Sequence, residues 1–255
     1  MNTVQSKSWD KIADEYHEYI ISPLHKDVVN PLCDILAKLP SAFKKSVIDI
    51  GTGNGDLISF LVKHFEEIHA SDFSEKMLVQ AKRKNVEYTS IMYHNAMTEH
   101  ITKHVQNVHV AIAVNSIISP ELQDIDMQFK EINTVLVSNG FFIGIFPSME
   151  AILHYFRLVY ERELCLHASL QKSLRKTRSR VDFKDYDFIR GTYTCDGHEQ
   201  KLFTRSYLTE LFCRHGFDII SLDKVEYPWN DGNGDFDNFK GKEKMWDWIV
   251  YARKK

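Results

Sequence analysis

Residues 46–72 constrain this chain more than any other stretch. Val47, Ile48 and Ile50 make a short apolar run, Gly51, Gly53 and Gly55 interrupt it, residues 57–65 resume at helical spacing, and residues 66–72 read as a second strand ending at Asp72. A strand, a glycine turn, a helix and a further strand form a βαβ unit, whose two strands lie parallel in one sheet. The alternation continues with a helix over 74–84, strands over 86–93 and 109–114, a helix over 122–137 and a strand over 140–146. Repeated in this way, the pattern predicts an α/β fold with a doubly wound, mostly parallel sheet.

Two regions depart from that rhythm. Before it, Trp9, Ile12, Ala13, Tyr16 and Ile20, and then Val28, Leu32, Ile35, Leu36 and Leu39, fall at helical spacing on either side of Pro23, which predicts two N-terminal helices. Within it, residues 149–203 predict a long helix (149–174) followed by an extended, Tyr/Phe-rich stretch (181–203). We read this as an insertion on the sheet, not an independent domain. Thr204 then caps a helix that ends at Arg214 and His215 with Gly216 beyond it. Strands over 217–225 and 245–252 follow, joined by a loop over 226–243. The organisation is thus residues 1–148, an inserted lid over 149–203, and residues 204–255 completing the first unit.

Composition removes several classes of function. Lys plus Arg is 32 and Asp plus Glu is 35, a net charge of −3. A nucleic-acid binder needs a basic excess to displace counterions, so no nucleic-acid partner is expected. The longest apolar stretch, 141–156, is interrupted by Pro147 and Glu150, and the first twenty residues lack an apolar signal core. No membrane partner is expected, and the predicted location is cytoplasmic. Cys33, Cys165, Cys195 and Cys213 are scattered, with no C-x-x-C pair, and read as buried or half-buried thiols in a reducing compartment.

The glycine turn and Asp72 point to a ligand. A turn without side chains lets a ligand approach the backbone, and a carboxylate ending the next strand is placed to accept ribose hydroxyls. The spacing is G-x-G-x-G, whereas the dinucleotide fingerprint is G-x-G-x-x-G. Asp56, at the start of the following helix, would repel a pyrophosphate. The expected ligand is a nucleoside without phosphates, which argues against a nicotinamide oxidoreductase.

These residues resemble the class I S-adenosylmethionine-dependent methyltransferases. Asp49-Ile50-Gly51-Thr52-Gly53-Asn54-Gly55 is similar to that family's first motif, Ile68 to Ser74 to its ribose-binding strand end, and Ser74 to Leu78 to the helix start after it. The resemblance implies a Rossmann-like sheet of seven strands, the last antiparallel, with S-adenosyl-L-methionine as cofactor and S-adenosyl-L-homocysteine as product. It implies that Asp49 and the Gly51, Thr52, Gly53, Asn54 and Gly55 turn surround the methionine moiety and sulfonium. Asp72 would bind the ribose, with Phe73 and Met77 along the adenine. Asn95, Ala96 and Met97 would meet the adenine edge; Asn95 stands where the family usually has an aspartate. Asn115 would offer its backbone to the methionine amino group, and Tyr16 would face the cofactor from a closing N-terminal helix.

Ligands of a doubly wound sheet sit outside the carboxyl ends of its strands. The insertion and the 226–243 loop border that edge and supply Tyr155, Tyr227 and Trp229 as candidate acceptor-binding residues and His154 as a candidate base. Such a rim suits a small, partly apolar or aromatic organic acceptor. A methyltransferase acting on a peptide or protein side chain, and a non-catalytic cofactor-binding regulatory protein, are the alternatives. The basic run Lys172, Arg175, Lys176, Arg178 and Arg180 reads first as a solvated helix end. His100 and His104 lack the glutamate of H-E-x-x-H, and Asp231-Gly232-Asn233-Gly234-Asp235 is followed by Phe236 where a calcium loop needs glycine, so no metal is expected. The acceptor's identity, the methylated atom and the oligomeric state are not legible from the sequence.

Overall fold

The computed structural model describes residues 23–195, 197–229 and 239–255. Tyr16 with the helix expected around it, and the segment from Asp231 to Asp235, lie outside the described residues.

In chain order the strands are β1 (Ser46–Ile50), β2 (Glu67–Asp72), β3 (Ile91–Asn95), β4 (Val108–Val114), β5 (Leu136–Pro147), β6 (Tyr186–Asp187), β7 (Thr192–Cys195), β8 (His198–Lys201), β9 (Phe217–Tyr227) and β10 (Met245–Lys254). The helices are α1 (Leu32–Lys38), α2 (Ile58–Leu61), α3 (Glu75–Lys84), α4 (Leu122–Val135), α5 (Met149–Leu166), α6 (Leu170–Arg180) and α7 (Arg205–Arg214). The main sheet has seven strands in the order β3-β2-β1-β4-β5-β10-β9. β1 to β5 pair in parallel, while β10 runs antiparallel to both β5 and β9. This is the Rossmann-like arrangement expected. The order reverses direction at β1, between β2 and β4, and that crevice is where such sheets bind ligands.

The alternation of strand side chains divides the core into two. Ile48, Ile50, Phe142 and Phe146 face one cluster with Phe129 and Phe212; Val47, Ile143 and Ile145 face the other with Leu32, Leu36 and Leu61. Nothing in the described residues is a helix long and apolar enough to cross a membrane.

Four expectations are corrected. β3 begins at Ile91 instead of 86, because Asn85 ends α3 by donating to Gly55 O and Ala81 O before the chain reaches the sheet, which leaves Val86 78% exposed. The helix after the glycine turn spans only Ile58–Leu61; beyond it the backbone winds more tightly, with Lys63 N–H donating to Phe60 O and His64 N–H to Leu61 O. The helix expected over 149–174 is two, because Ser169 caps α6 by accepting from Lys172 N–H. All four cysteines are exposed: Cys33, Cys165 and Cys213 lie on outward helix faces and Cys195 ends a short strand.

The segment 149–203 leaves and returns at one point. Met149 N–H donates to Phe203 O at 3.0 Å and Phe203 N–H to Pro147 O at 2.8 Å. Between these it carries α5, α6 and a three-stranded antiparallel sheet of β6, β7 and β8. The basic run lies on α6, whose buried face is Ser173 and Thr177, and Arg180 reaches back to the buried Glu163 at 2.9 Å.

Candidate functional site

The glycine turn leaves β1 with three left-handed residues, Gly51 (φ +68°), Gly53 (φ +55°) and Gly55 (φ +81°). Thr52 N–H donates to Ser71 O at 2.9 Å, which ties the turn to β2. A side chain on Gly55 would collide with Asn85 Nδ2 at 2.6 Å, whereas a Cβ on Gly53 meets nothing within 4 Å. Of the three, Gly53 alone borders open space, as a ligand-approach position must.

Beneath the turn, Asp49 is buried and accepts from Thr52 Oγ1 at 2.6 Å. Burial pushes its carboxyl up to about 7, against the Thr52 hydrogen bond; the Asp72 and Asp56 carboxylates add to the rise. Asp56 is paired with Lys84. A cluster of acidic groups under a cradle favours a cationic ligand over an anionic one.

Asp72 ends β2 with both oxygens placed by backbone. Oδ2 accepts from Gly53 N–H at 2.9 Å and Oδ1 from Ser74 N–H at 2.8 Å. Ser74 in turn caps α3 by accepting from Met77 N–H at 3.2 Å. The turn, the carboxylate and the helix start are therefore one hydrogen-bonded unit. Phe73 is half-buried and Met77 buried beside it. Asn95, ending β3, donates from Nδ2 to Asp72 O at 3.3 Å and Phe73 O at 3.2 Å, which turns its amide oxygen outward. Ala96 N–H donates to Asp72 O at 3.1 Å, and Met97 leads into a short 3-10 turn, Thr98–Lys103. Residues 72–74 and 95–97 thus meet, although they are far apart in sequence.

Asn115 follows β4 with φ 48°. Its Nδ2 donates to Asp247 Oδ2 at 2.9 Å, and Tyr227 Oη donates to the same oxygen at 2.6 Å. Burial raises the Asp247 carboxyl above its usual range, opposed by hydrogen bonds from Tyr227, Asn115 and the Ser148 backbone. Sequence reasoning missed Asp247. Its signal was an acidic residue between Trp246 and Trp248 in a strand otherwise apolar at its start.

The remaining candidates sit on α5 and in the loop after β9. His154 Nε2 donates to Glu243 O at 2.9 Å and its Nδ1 accepts from Arg157 at 3.3 Å, so both ring nitrogens are engaged. Tyr155 is buried in the core against Phe156 and Phe239. Trp229 is half-buried, packs on Phe239 and donates to Lys242 O at 3.3 Å. Among the described residues no group of three His, Cys, Asp or Glu side chains is placed to hold a metal ion. Tyr155→Ala is expected to cost about 3 kcal/mol of stability, the usual loss for a buried aromatic, and Trp229→Ala far less. Urea denaturation of the two variants checks the difference.

Residues 47–140 match the family described as a methyltransferase domain. No curated protein matches the chain. Solved structures of the same fold include an S-adenosylmethionine-dependent methyltransferase from Methanosarcina mazei, 14% identical, TM-score 0.61, covering 89% of this chain and 98% of that one. One from Mesorhizobium loti is 18% identical, with TM-score 0.56, covering 88% and 96%. The N-methyltransferase NodS from Bradyrhizobium japonicum, in complex with S-adenosyl-L-homocysteine, is 7% identical, TM-score 0.55, covering 88% and 85%. The fold and the matched domain define a Rossmann-like methyltransferase. The chain carries a methyltransferase domain over residues 47–140 on the fold of the S-adenosylmethionine-dependent methyltransferases.

Proposed function

We propose that the protein transfers a methyl group from S-adenosyl-L-methionine to a small, partly apolar or aromatic organic acceptor, leaving S-adenosyl-L-homocysteine. The observation that carries this reading is the unit formed by Gly53 and Asp72: open space over a left-handed glycine, with a backbone-anchored carboxylate beside it. The residues present fit the cofactor. Asp72 holds the ribose, the half-buried Phe73 and the outward amide oxygen of Asn95 suit an adenine, and the carboxyl of Asp49 under the turn suits a cationic group.

When bound, the cofactor supplies a methyl group already activated by its sulfonium. The protein's share is then to hold a nucleophile in line and to exclude water. Support for a small acceptor comes from the half-buried aromatics at the same edge of the sheet, Tyr227 and Trp229, with Phe239 beside them.

Calorimetry tests the cofactor. The chain is expected to bind S-adenosylmethionine and S-adenosylhomocysteine, and NAD not detectably. Asp72→Ala is expected to weaken both sulfur ligands by about 1–3 kcal/mol, the loss of a charged acceptor for ribose hydroxyls. NAD binding without a response to either sulfur ligand would overturn the assignment, and unchanged affinity in Asp72→Ala would remove that residue from the site. Turnover confined to peptide acceptors would replace the small-molecule class.

A further inference from the structure

Outside the glycine turn, a row of polar side chains crosses from β2 to β3. Glu67 and His69 lie on one side of β2, and His94 comes from the neighbouring strand, where it pairs in register with Ser71. His69 Nε2 lies 3.1 Å from Glu67 Oε1, and His69 Nδ1 lies 3.0 Å from His94 Nε2. A carboxylate only accepts, so the hydrogen of His69 sits on Nε2 and points to Glu67. His69 Nδ1 therefore carries a lone pair, and His94 Nε2–H donates to it. The two rings lie at 25° with centroids 5.2 Å apart, and the His104 ring follows at 6.3 Å from that of His94.

This arrangement prepares imidazoles for a metal ion. A ligating histidine gives its other ring N–H to a carboxylate, which fixes the tautomer and aims the lone pair. Glu67 does this for His69. Burial, and then the His69 and His104 rings, hold the His94 imidazole down at about 4, and burial lowers His69 as well. Both are neutral at pH 7, as ligands must be. Glu67 and His104 are exposed and His94 is half-buried, which leaves the pair a path to solvent.

The spacing selects the ion. With metal–nitrogen bonds of about 2.0–2.1 Å, two nitrogens stand about 2.9 Å apart at a right angle and about 3.3 Å apart at a tetrahedral one. The observed 3.0 Å fits the right angle of a tetragonal ion, copper(II) or nickel(II), better than the tetrahedron of zinc. Without an ion the same spacing suits one N–H···N bond, so the pair keeps its place in both states.

We propose that His69 Nδ1 and His94 Nε2 chelate a copper(II) or nickel(II) ion, with water filling the remaining positions. On binding, the hydrogen of His94 moves from Nε2 to Nδ1, so two neutral imidazoles ligate and no proton is lost. The ion cross-links β2 to the edge strand β3. The sequence motifs that argued against a metal do not include this pair, because its histidines stand 25 residues apart and meet only through strand pairing. The site does not depend on the methyltransferase reading.

Copper(II) is titrated into the full chain at pH 7 and followed by electron paramagnetic resonance. The expected result is one tight equivalent whose spectrum carries two imidazole nitrogens, weakened at least tenfold in His69→Gln and in His94→Gln. His94 is half-buried, so its variant keeps the test open if His69→Gln fails to fold. Glu67→Ala is expected to weaken copper severalfold while the melting temperature of the metal-free chain holds; unchanged affinity there removes Glu67 as the orienting group. Nickel(II) is expected to raise the melting temperature of the wild type and not of His94→Gln, because it binds only the folded pair. Copper affinity undiminished in His94→Gln, or a spectrum without imidazole nitrogens, overturns the proposal. Loss in His104→Gln with none in His94→Gln assigns the ion to His100 and His104 and overturns it equally.

Discussion

Gly51→Ala is expected to destabilise the protein severely, and Gly53→Ala clearly less, although both glycines belong to one turn. A Cβ on Gly51 would stand 2.3 Å from Ser116 Cβ and 3.0 Å from Ser116 Oγ. Ser116 is pinned through its hydrogen bond to Ile50 O and has no easy retreat. The clash adds to the left-handed backbone, φ +68°. Strain of about 1–3 kcal/mol and overpacking of about 1–3 kcal/mol give a combined loss of roughly 3–5 kcal/mol. That is a large share of the ~5–15 kcal/mol that keeps a domain folded. Gly53→Ala bears only the backbone strain, because its methyl group enters open space. If the ligand approaches through that space, cofactor affinity falls in Gly53→Ala while the melting temperature drops by less than in Gly51→Ala. Melting curves and calorimetry on both variants separate the effects. Intact cofactor binding in Gly53→Ala would make the turn purely structural.

Asp49→Asn is expected to stabilise the ligand-free protein at alkaline pH and to weaken its grip on the cationic cofactor. Burial raises the Asp49 carboxyl from its ordinary 3.8 to about 7, so the native state holds this proton more tightly than the unfolded chain. Its favourable contribution is complete below about pH 4 and is lost as pH rises to about 7, a change of roughly 4 kcal/mol. The wild type is therefore expected to lose stability between about pH 4 and 7 relative to Asp49→Asn, which keeps the acceptor for Thr52 but has nothing to ionise. A bound cation offsets the same cost. The variant should lose more affinity for the sulfonium cofactor than for its neutral thioether product, measured side by side at pH 8. Equal losses for the two ligands would place Asp49 away from the charge.

Much of the architecture could be read from the chain because it is local. The switch from period two to period 3.6 around Gly51, Gly53 and Gly55, and the return to a strand ending at Asp72, depend only on neighbouring residues. The same is true of Thr204, which caps α7 by accepting from Tyr207 N–H as its position before the helix predicts. Local signals failed where a neighbour outbid them. Residues 86–90 have strand-like composition, yet Asn85 ends α3 by donating from Nδ2 to Gly55 O and Ala81 O, and the chain reaches the sheet only at Ile91.

The candidate site divides in the same way. The sequence by itself determined the glycine turn, its acidic partners Asp49 and Asp72, and the parallel order that puts them at one edge, because all lie within two successive βα units. Only the tertiary structure decided that Asn115, Tyr227 and Asp247 share a carboxylate, that Gly51 is closed by Ser116 while Gly53 stays open, and that Tyr155 belongs to the core. Asn115 and Asp247 are far apart in the chain and become neighbours because β10 inserts antiparallel beside β5, bringing its first residues to the edge where β4 ends. Strand order is set by long-range packing of the two apolar faces, and no short window of sequence contains that information.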